Sequence, residues 1–444
     1  MRESKTFRAT RPAAFAILSA AIIFTACCGQ RGITVNAPEQ GAVVPTQRDG
    51  QKAFLNLSRE ERRARFADEN YRKEMQAVGF WQRPVTLSWS AKGCSGDGDD
   101  SYVVSLYIDG KETPVLVTNI VATAKGGSVD VDNLEIARDY RWTVADATGA
   151  EAEGHFTTED AAPRFMRAGK LDNFRDLGGR VGLNGRRVKQ GMVYRNTAFN
   201  YNATATYYTV DEALEIPEER SKVADLLDEA GRWRELAAGT GELAKVAPAV
   251  LTAITNRVNE KLSKVVKERI PSGRRLDDAT MDYLRNDLGI KSDIDLRSDG
   301  ECYGMDGCPL GPSVTWFHYS SACYGGMKDD WGKEAFKQVF RVFLDEKNYP
   351  IDFHCIAGQD RTGAVAFIIN GLLGVDEEEL YRDWEATGFW NPNTRFNHER
   401  LFDHLVKVFD AYPGDTINQR IEAYVLALGF TMADIEKLRS IMLE

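Results

Sequence analysis

Pro350-Ile351-Asp352-Phe353-His354-Cys355-Ile356-Ala357-Gly358-Gln359-Asp360-Arg361-Thr362-Gly363 leads from a short apolar stretch into a helical pattern, Ala364 to Leu373. Pro350 to Phe353 reads as a buried strand, and the residues after Gly363 read as a helix. Strand, tight loop and helix together form a geometry for holding an anion. The loop's N–H groups can converge on it, and the helix N-terminus adds partial positive charge. The same field lowers the pKa of a cysteine in the loop, so Cys355 can serve as a thiolate nucleophile. Arg361 offers a planar fork that matches two phosphate oxygens. Cys27, Cys28, Cys94, Cys302, Cys308 and Cys323 have no arginine six places on. The plainer reading of Cys355 is a buried structural thiol beside a helix start.

With His354, Gly358, Thr362 and Gly363 added, the segment resembles the signature loop of cysteine-dependent phosphatases, His-Cys-x5-Arg-Thr/Ser-Gly. It is most similar to the bacterial protein tyrosine/serine phosphatase branch. Further pieces resemble that branch in order: Asn173-Phe174-Arg175-Asp176-Leu177-Gly178-Gly179, Val193-Tyr194-Arg195-Asn196, Asp295-Leu296-Arg297-Ser298 and Asp383-Trp384. Gln359 stands where the branch usually carries lysine. A neutral amide donates hydrogen bonds but cannot offset several negative charges, so a polyphosphorylated substrate is disfavoured.

The resemblance implies two chemical steps. Cys355 attacks phosphorus while Arg361 and the amides of Ile356, Ala357, Gly358, Gln359, Asp360 and Arg361 bind the equatorial oxygens. Thr362 hydrogen-bonds the sulfur as it leaves, and water then hydrolyses the thiophosphate. His354 orders the loop or is a satisfied core histidine. The acid that protonates the leaving oxygen is open among Asp360 first, then Asp330 with its neighbour Asp329, then Asp295. Solvated turns account for Asp329 and Asp330 equally well, and an ion pair for Asp295. The substrate is a phosphorylated protein or a small phosphorylated molecule. An inositol-phosphate or lipid phosphatase is one alternative, and an inactive phosphate-binding or adhesion protein another. The five residues between Cys355 and Arg361 favour phosphate over rhodanese-type sulfur transfer.

A chain of 444 residues is too long for one ordinary domain, and 43% hydrophobic content supports a real core. The net charge of −10 argues against nucleic acid as a partner. With five histidines, none in a ligand pair, no metal or cofactor is expected. Arg2, Lys5, Arg8 and Arg11 precede an apolar run, Ala13 to Ala26, too short for a membrane span. Residues 1–27 thus read as an export signal. Phe24-Thr25-Ala26-Cys27 resembles a bacterial lipoprotein cleavage site, which implies membrane attachment through lipidated Cys27 in the periplasm or at the cell surface. An ordinary cleaved signal and an uncleaved anchor are the other readings. Export makes disulfides possible, and Cys302 and Cys308 can pair, although spacing alone does not fix connectivity.

Residues 31–162 read as an all-β sandwich, similar to fibronectin-III or immunoglobulin domains. Val85, Leu87 and Trp89 alternate, as do Tyr140, Trp142 and Val144, and Asp109-Gly110, Gly126-Gly127 and Gly149 supply turns. Ser58 to Gln76 interrupts it as a helix, with Ser58 as N-cap and Glu61 completing a capping box. Residues 163–444 predict an α/β domain with a mostly parallel sheet flanked by helices. It carries a helical insertion at about 200–275, a structural appendage or a lid. There Val250, Ile254, Val258, Leu262, Val265 and Ile270 form a helical stripe that starts near Pro248.

Overall fold

The computed structural model describes residues 32–92, 98–392 and 395–444. Residues 1–27, on which the export expectation falls, and Cys94 lie outside the described residues. The chain divides into two compact units. One holds the residues up to 200 with 274–298 and 307–444; the other holds 201–273 with 299–306.

Within the first unit, eight strands form one sheet: β1 (Gly32–Ala37), β2 (Ala42–Val44), β3 (Val85–Lys92), β4 (Asp99–Ile108), β5 (Leu116–Thr123), β6 (Gly126–Val131), β7 (Asp139–Asp146) and β8 (Glu151–Thr158). Their order is β1-β3-β6-β5-β4-β7-β8-β2. The two halves join through one residue pair, Thr123 with Gly126. Trp89 on β3 and Tyr102 on β4 belong to strands that are not neighbours in the sheet, yet their rings are 5.2 Å apart. The sheet therefore doubles over into two leaves with a shared apolar interior of Leu87, Trp89, Val104, Leu106, Trp142 and Val144. Period-two alternation along β3 and β7 puts those residues inside.

Three helices fill the interval between β2 and β3: Asp49–Leu55, Arg59–Ala67 and Glu69–Val78. The capping box at Ser58 is present, with Glu61 N–H on the Ser58 hydroxyl at 3.3 Å and Ser58 N–H on the Glu61 carboxylate at 2.9 Å. The single helix expected over 58–76 is two, because Asp68 leaves helical geometry and caps the second with its own carboxylate. Phe54, Phe66, Met75 and Phe80 of this segment pack with Phe165, Ala386 and Phe389 further along the chain. Arg62, wholly buried, pairs with the buried Glu385 and also with Glu378.

The chain continues through β9 (Arg164–Phe165), β10 (Arg175–Asp176), β11 (Val193–Thr197), β12 (Thr204–Tyr207), β13 (Val266–Ile270), β14 (Ser292–Asp295), β15 (Thr315–His318) and β16 (Ile351–Cys355). A six-stranded sheet runs β15-β14-β16-β11-β10-β9. Its first four strands are parallel, and β10 and β9 join antiparallel. The helix Asp360–Leu372 after β16 is buried from Thr362 to Leu372. Its apolar residues share a core with Phe336, Val339, Phe340 and Phe343 of the helix Asp330–Phe343 and with Ile351 and Phe353.

In the second unit β12 and β13 pair antiparallel beside the helices Ala224–Ala237 and Glu242–Leu262. Ile254, Val258 and Leu262 are buried as the helical stripe requires. Two expectations fail there. Pro248 sits inside the helix, which starts at Glu242, and the stripe ends at Leu262. Val266-Lys267-Glu268-Arg269-Ile270 is a strand, because its apolar ends alternate at period two and Thr204–Tyr207 supplies a partner edge. Neither Cys302 nor Cys308 is in a disulfide, so the pairing that their spacing allowed is not formed.

Candidate active site

The loop after β16 is held from outside. The Ile356 carbonyl accepts from Ala198 N–H at 3.0 Å. The Ala357 and Gly358 carbonyls both accept from Asn173 Nδ2, each at 3.0 Å, and Gly358 O also accepts from Arg195 Nη2 at 2.6 Å. In a planar trans peptide the N–H points opposite to the carbonyl. Three carbonyls turned to the scaffold therefore turn the N–H groups of Ala357, Gly358 and Gln359 to the other side. Among the described residues no backbone carbonyl takes up those groups. Gly358 has φ +61, and a Cβ there would lie 2.2 Å from Asn196 O, so only glycine lets the loop sit this close to β11.

Cys355 ends β16 and is 2% exposed. Burial alone would push its pKa up. The Arg361 charge and the Thr362 hydroxyl and N–H outweigh that and leave the thiol below its ordinary value. The Thr362 hydroxyl has no other hydrogen-bond partner among the described residues. Arg361 is half-buried, and its Nη1 donates to Leu296 O at 3.2 Å. Gln359 is buried, and its Oε1 accepts from Asn391 Nδ2 at 3.3 Å.

His354 is wholly buried, with Nε2 3.1 Å from Asp293 Oδ1 and Nδ1 3.8 Å from Asp295 Oδ1. Burial disfavours its charge, but the two carboxylates win and raise its pKa to about 9. It is therefore an imidazolium at neutral pH, locked into the sheet.

The four acid candidates fall into different surroundings. Asp360 opens the helix Asp360–Leu372 beside the loop; its Oδ1 accepts from the Tyr324 hydroxyl and, at 2.7 Å, from Arg400 Nη1. Asp329 and Asp330 are exposed at the start of the helix Asp330–Phe343. Asp295 is buried between His354 and Arg297, with Arg297 Nη2 at 2.6 Å and Nε at 2.9 Å. Against its burial, these cations hold Asp295 well below the usual carboxylate range. In this setting Asp295 ties the end of β14 to His354 and Arg297.

Several residues have roles at the site that the sequence did not assign. Asn173 and Arg195 hold the loop, and Asp383 holds Arg195 at 2.6 Å and Arg180 at 2.7 Å. Tyr324 and Arg400 hold Asp360. Asp172 lies alongside: its carbonyl accepts from Thr197 N–H, the residue paired with Cys355, and its carboxylate is 2.8 Å from Arg275. Burial pushes its pKa up despite Arg275. Asp172 and Asn173 sit in or beside the Asn173–Gly179 motif, which is the one signal that pointed to them.

Residues 260–444 match the model of the tyrosine phosphatase family. The sheet reaches further upstream than that match, since β11 pairs in register with β16 from Val193 with Ile351 to Thr197 with Cys355. A tyrosine-protein phosphatase from Nostoc commune is 29% identical over 164 residues, covering 32% of this chain and 54% of that relative. The chain thus spans about half the length of the curated relative it matches. These matches support a cysteine-dependent phosphatase domain. Among solved structures, the core catalytic domain of a PP-IP phosphatase from S. cerevisiae with citrate is 15% identical, with 34% of this chain and 77% of that one covered. Its TM-score of 0.21 is too low to bear on this chain. No group of metal-ligating side chains occurs among the described residues, and no helix among them is long and apolar enough to cross a membrane.

Proposed function

We propose that this chain hydrolyses phosphate monoesters as a protein tyrosine, or dual tyrosine/serine, phosphatase. The observation that carries the proposal is a buried thiol with lowered pKa beneath a loop whose carbonyls are turned away from it. Cys355 Sγ attacks phosphorus and the P–O bond to the leaving group breaks. The inward N–H groups and Arg361 hold the three equatorial oxygens, and Thr362 steadies the sulfur. Water then attacks phosphorus, the S–P bond breaks, and inorganic phosphate leaves. Asp360 is the foremost proton donor, because it opens the helix beside the loop and is fixed there by Tyr324 and Arg400. Asp172, with its raised pKa, ranks next, ahead of the exposed Asp330 and Asp329.

Gln359 in the loop supports a monophosphate over an inositol polyphosphate, because it brings no charge of its own. The doubled-over β sheet supports the fibronectin-III-like reading of residues 31–162. Export with lipidation at Cys27 stands on the sequence of residues 1–27 and forms part of the same proposal. The purified chain is expected to cleave an aryl phosphate, with Cys355→Ser reducing the rate more than roughly a thousandfold while melting like the wild type. Phosphotyrosine peptides should be cleaved faster than inositol polyphosphates. Full activity in Cys355→Ser would end the proposal.

A further inference from the structure

Arg195 lies at the centre of β11, wholly buried, and its contacts leave the strand in two directions. Nη2 donates to Gly358 O at 2.6 Å and Nη1 to Asp383 Oδ2 at 2.6 Å. Asp383 is also 2.7 Å from Arg180 Nη2 and 3.5 Å from Arg175 Nε, and both of those guanidinium groups are buried. Three guanidinium groups thus share one carboxylate beneath the loop. Nε of Arg195 and Arg180, and Nε and Nη1 of Arg175, have no hydrogen-bond partner among the described residues. Such an arrangement is costly for stability.

We propose that Arg195 is a positioning residue for the phosphate loop, holding the Gly358 carbonyl outward so that the Gln359 N–H faces the oxyanion and lending a second positive charge to the Cys355 sulfur. The proposal deepens the phosphatase reading and rests on it for the identity of the oxyanion. The outward carbonyl is the mechanical part. Without Arg195 the Gly358 carbonyl keeps only the Asn173 Nδ2 contact, which is shared with Ala357 O, so the peptide is freer to rotate and aim a carbonyl dipole at the bound anion, replacing an attraction by a repulsion. The charge is the electrostatic part. Cys355 is faced by Arg361, Asp360, Thr362 and Cys323 from its own loop and its surroundings, and by Arg195 from β11; Arg195 in turn is faced by Asp383, Arg180 and Arg175. Arg361 is half-buried and faces the sulfur first, whereas Arg195 is sealed from solvent and divides its field between the loop and Asp383.

The test uses the full chain with Arg195→Gln and Arg195→Lys. Alkylation of Cys355 by iodoacetamide is monitored across pH by mass spectrometry, and binding of inorganic phosphate by calorimetry. In Arg195→Gln the alkylation midpoint should rise by about one pH unit, a tenfold loss of thiolate below it, and phosphate affinity should fall about tenfold. Arg195→Lys keeps the charge but reaches one partner instead of two. Its midpoint should stay near the wild type while phosphate affinity still falls. A folded Arg195→Gln with either quantity unchanged overturns the proposal. If that variant does not fold, wild-type phosphate affinity in Arg195→Lys overturns it. A wild-type chain that binds phosphate and alkylates readily but hydrolyses no ester would sink the phosphatase reading and leave the role of Arg195 standing.

Discussion

The two sheets of the first unit are built on opposite plans. The eight-stranded sheet alternates, with apolar side chains inward and polar ones outward, and its interior holds Leu87, Val104, Leu106 and Val144. In the six-stranded sheet β11, β14 and β16 are buried along their whole length, yet they carry Arg195, Asn196, Asp293, Asp295, Asp352 and His354. Burying charge costs stability unless each group is paired. That the cost is borne in one sheet and avoided in the other teaches where the chemistry lies. The charged interior is gathered around the end of β16, under the loop, and the apolar interior belongs to the other sheet.

Removing the carboxylate that serves three guanidinium groups should have the largest effect on that contrast. Asp383→Asn is expected to cost about 3–5 kcal/mol in chemical denaturation, because the buried charges lose their counterion. It should also lower turnover, through Arg195. A loss below about 1 kcal/mol would mean that the charged sheet tolerates its burden by other means. In the apolar sheet, Leu87→Ala should cost about 3 kcal/mol through the cavity it leaves. Turnover per folded molecule should not change. A fall in turnover would join the two plans and break the comparison.

The smallest effect is one of pH. A histidine whose folded pKa of about 9 exceeds its unfolded value contributes stability that is complete below about pH 6.5 and is lost as the pH rises through 9. The wild type should therefore lose on the order of 2 kcal/mol between about pH 7 and pH 10 through this group. In His354→Asn that part of the slope should vanish from melts taken across the same range. An identical slope in both proteins would place the imidazolium elsewhere.

Much of this was legible because it is local. The loop residues 354–363 announce themselves by type and spacing, and the strands of the parallel sheet read as short apolar runs between helical patterns. The capping box at Ser58 needs only residues three apart. The misread strand Val266–Ile270 shows the limit: one apolar stripe satisfied two periods, and only the partner edge Thr204–Tyr207 decided between them. The supports of the loop were hidden for a different reason. Arg195 reaches Gly358 and Asp383 across 163 and 188 positions, and Asn173 reaches Gly358 across 185. No local pattern carries such pairings. The contact of Arg297 with Asp295 is close in sequence, yet no periodicity announces that the side chain folds back.

Arg62, on a helix that interrupts the eight-stranded sheet, inserts its whole side chain beside Glu385 on a helix of the other sheet's domain. The phenyl rings of Phe54 and Phe389 meet edge to face at 5.6 Å in the same place. The segment 49–78 thus works as a wedge shared by both halves. A gene shortened to its phosphatase half would strand an acid and several aromatic rings at the surface, and the product should clump. The upstream region thus shares part of its core with the domain that carries the loop, and a cut between them would open that core to water.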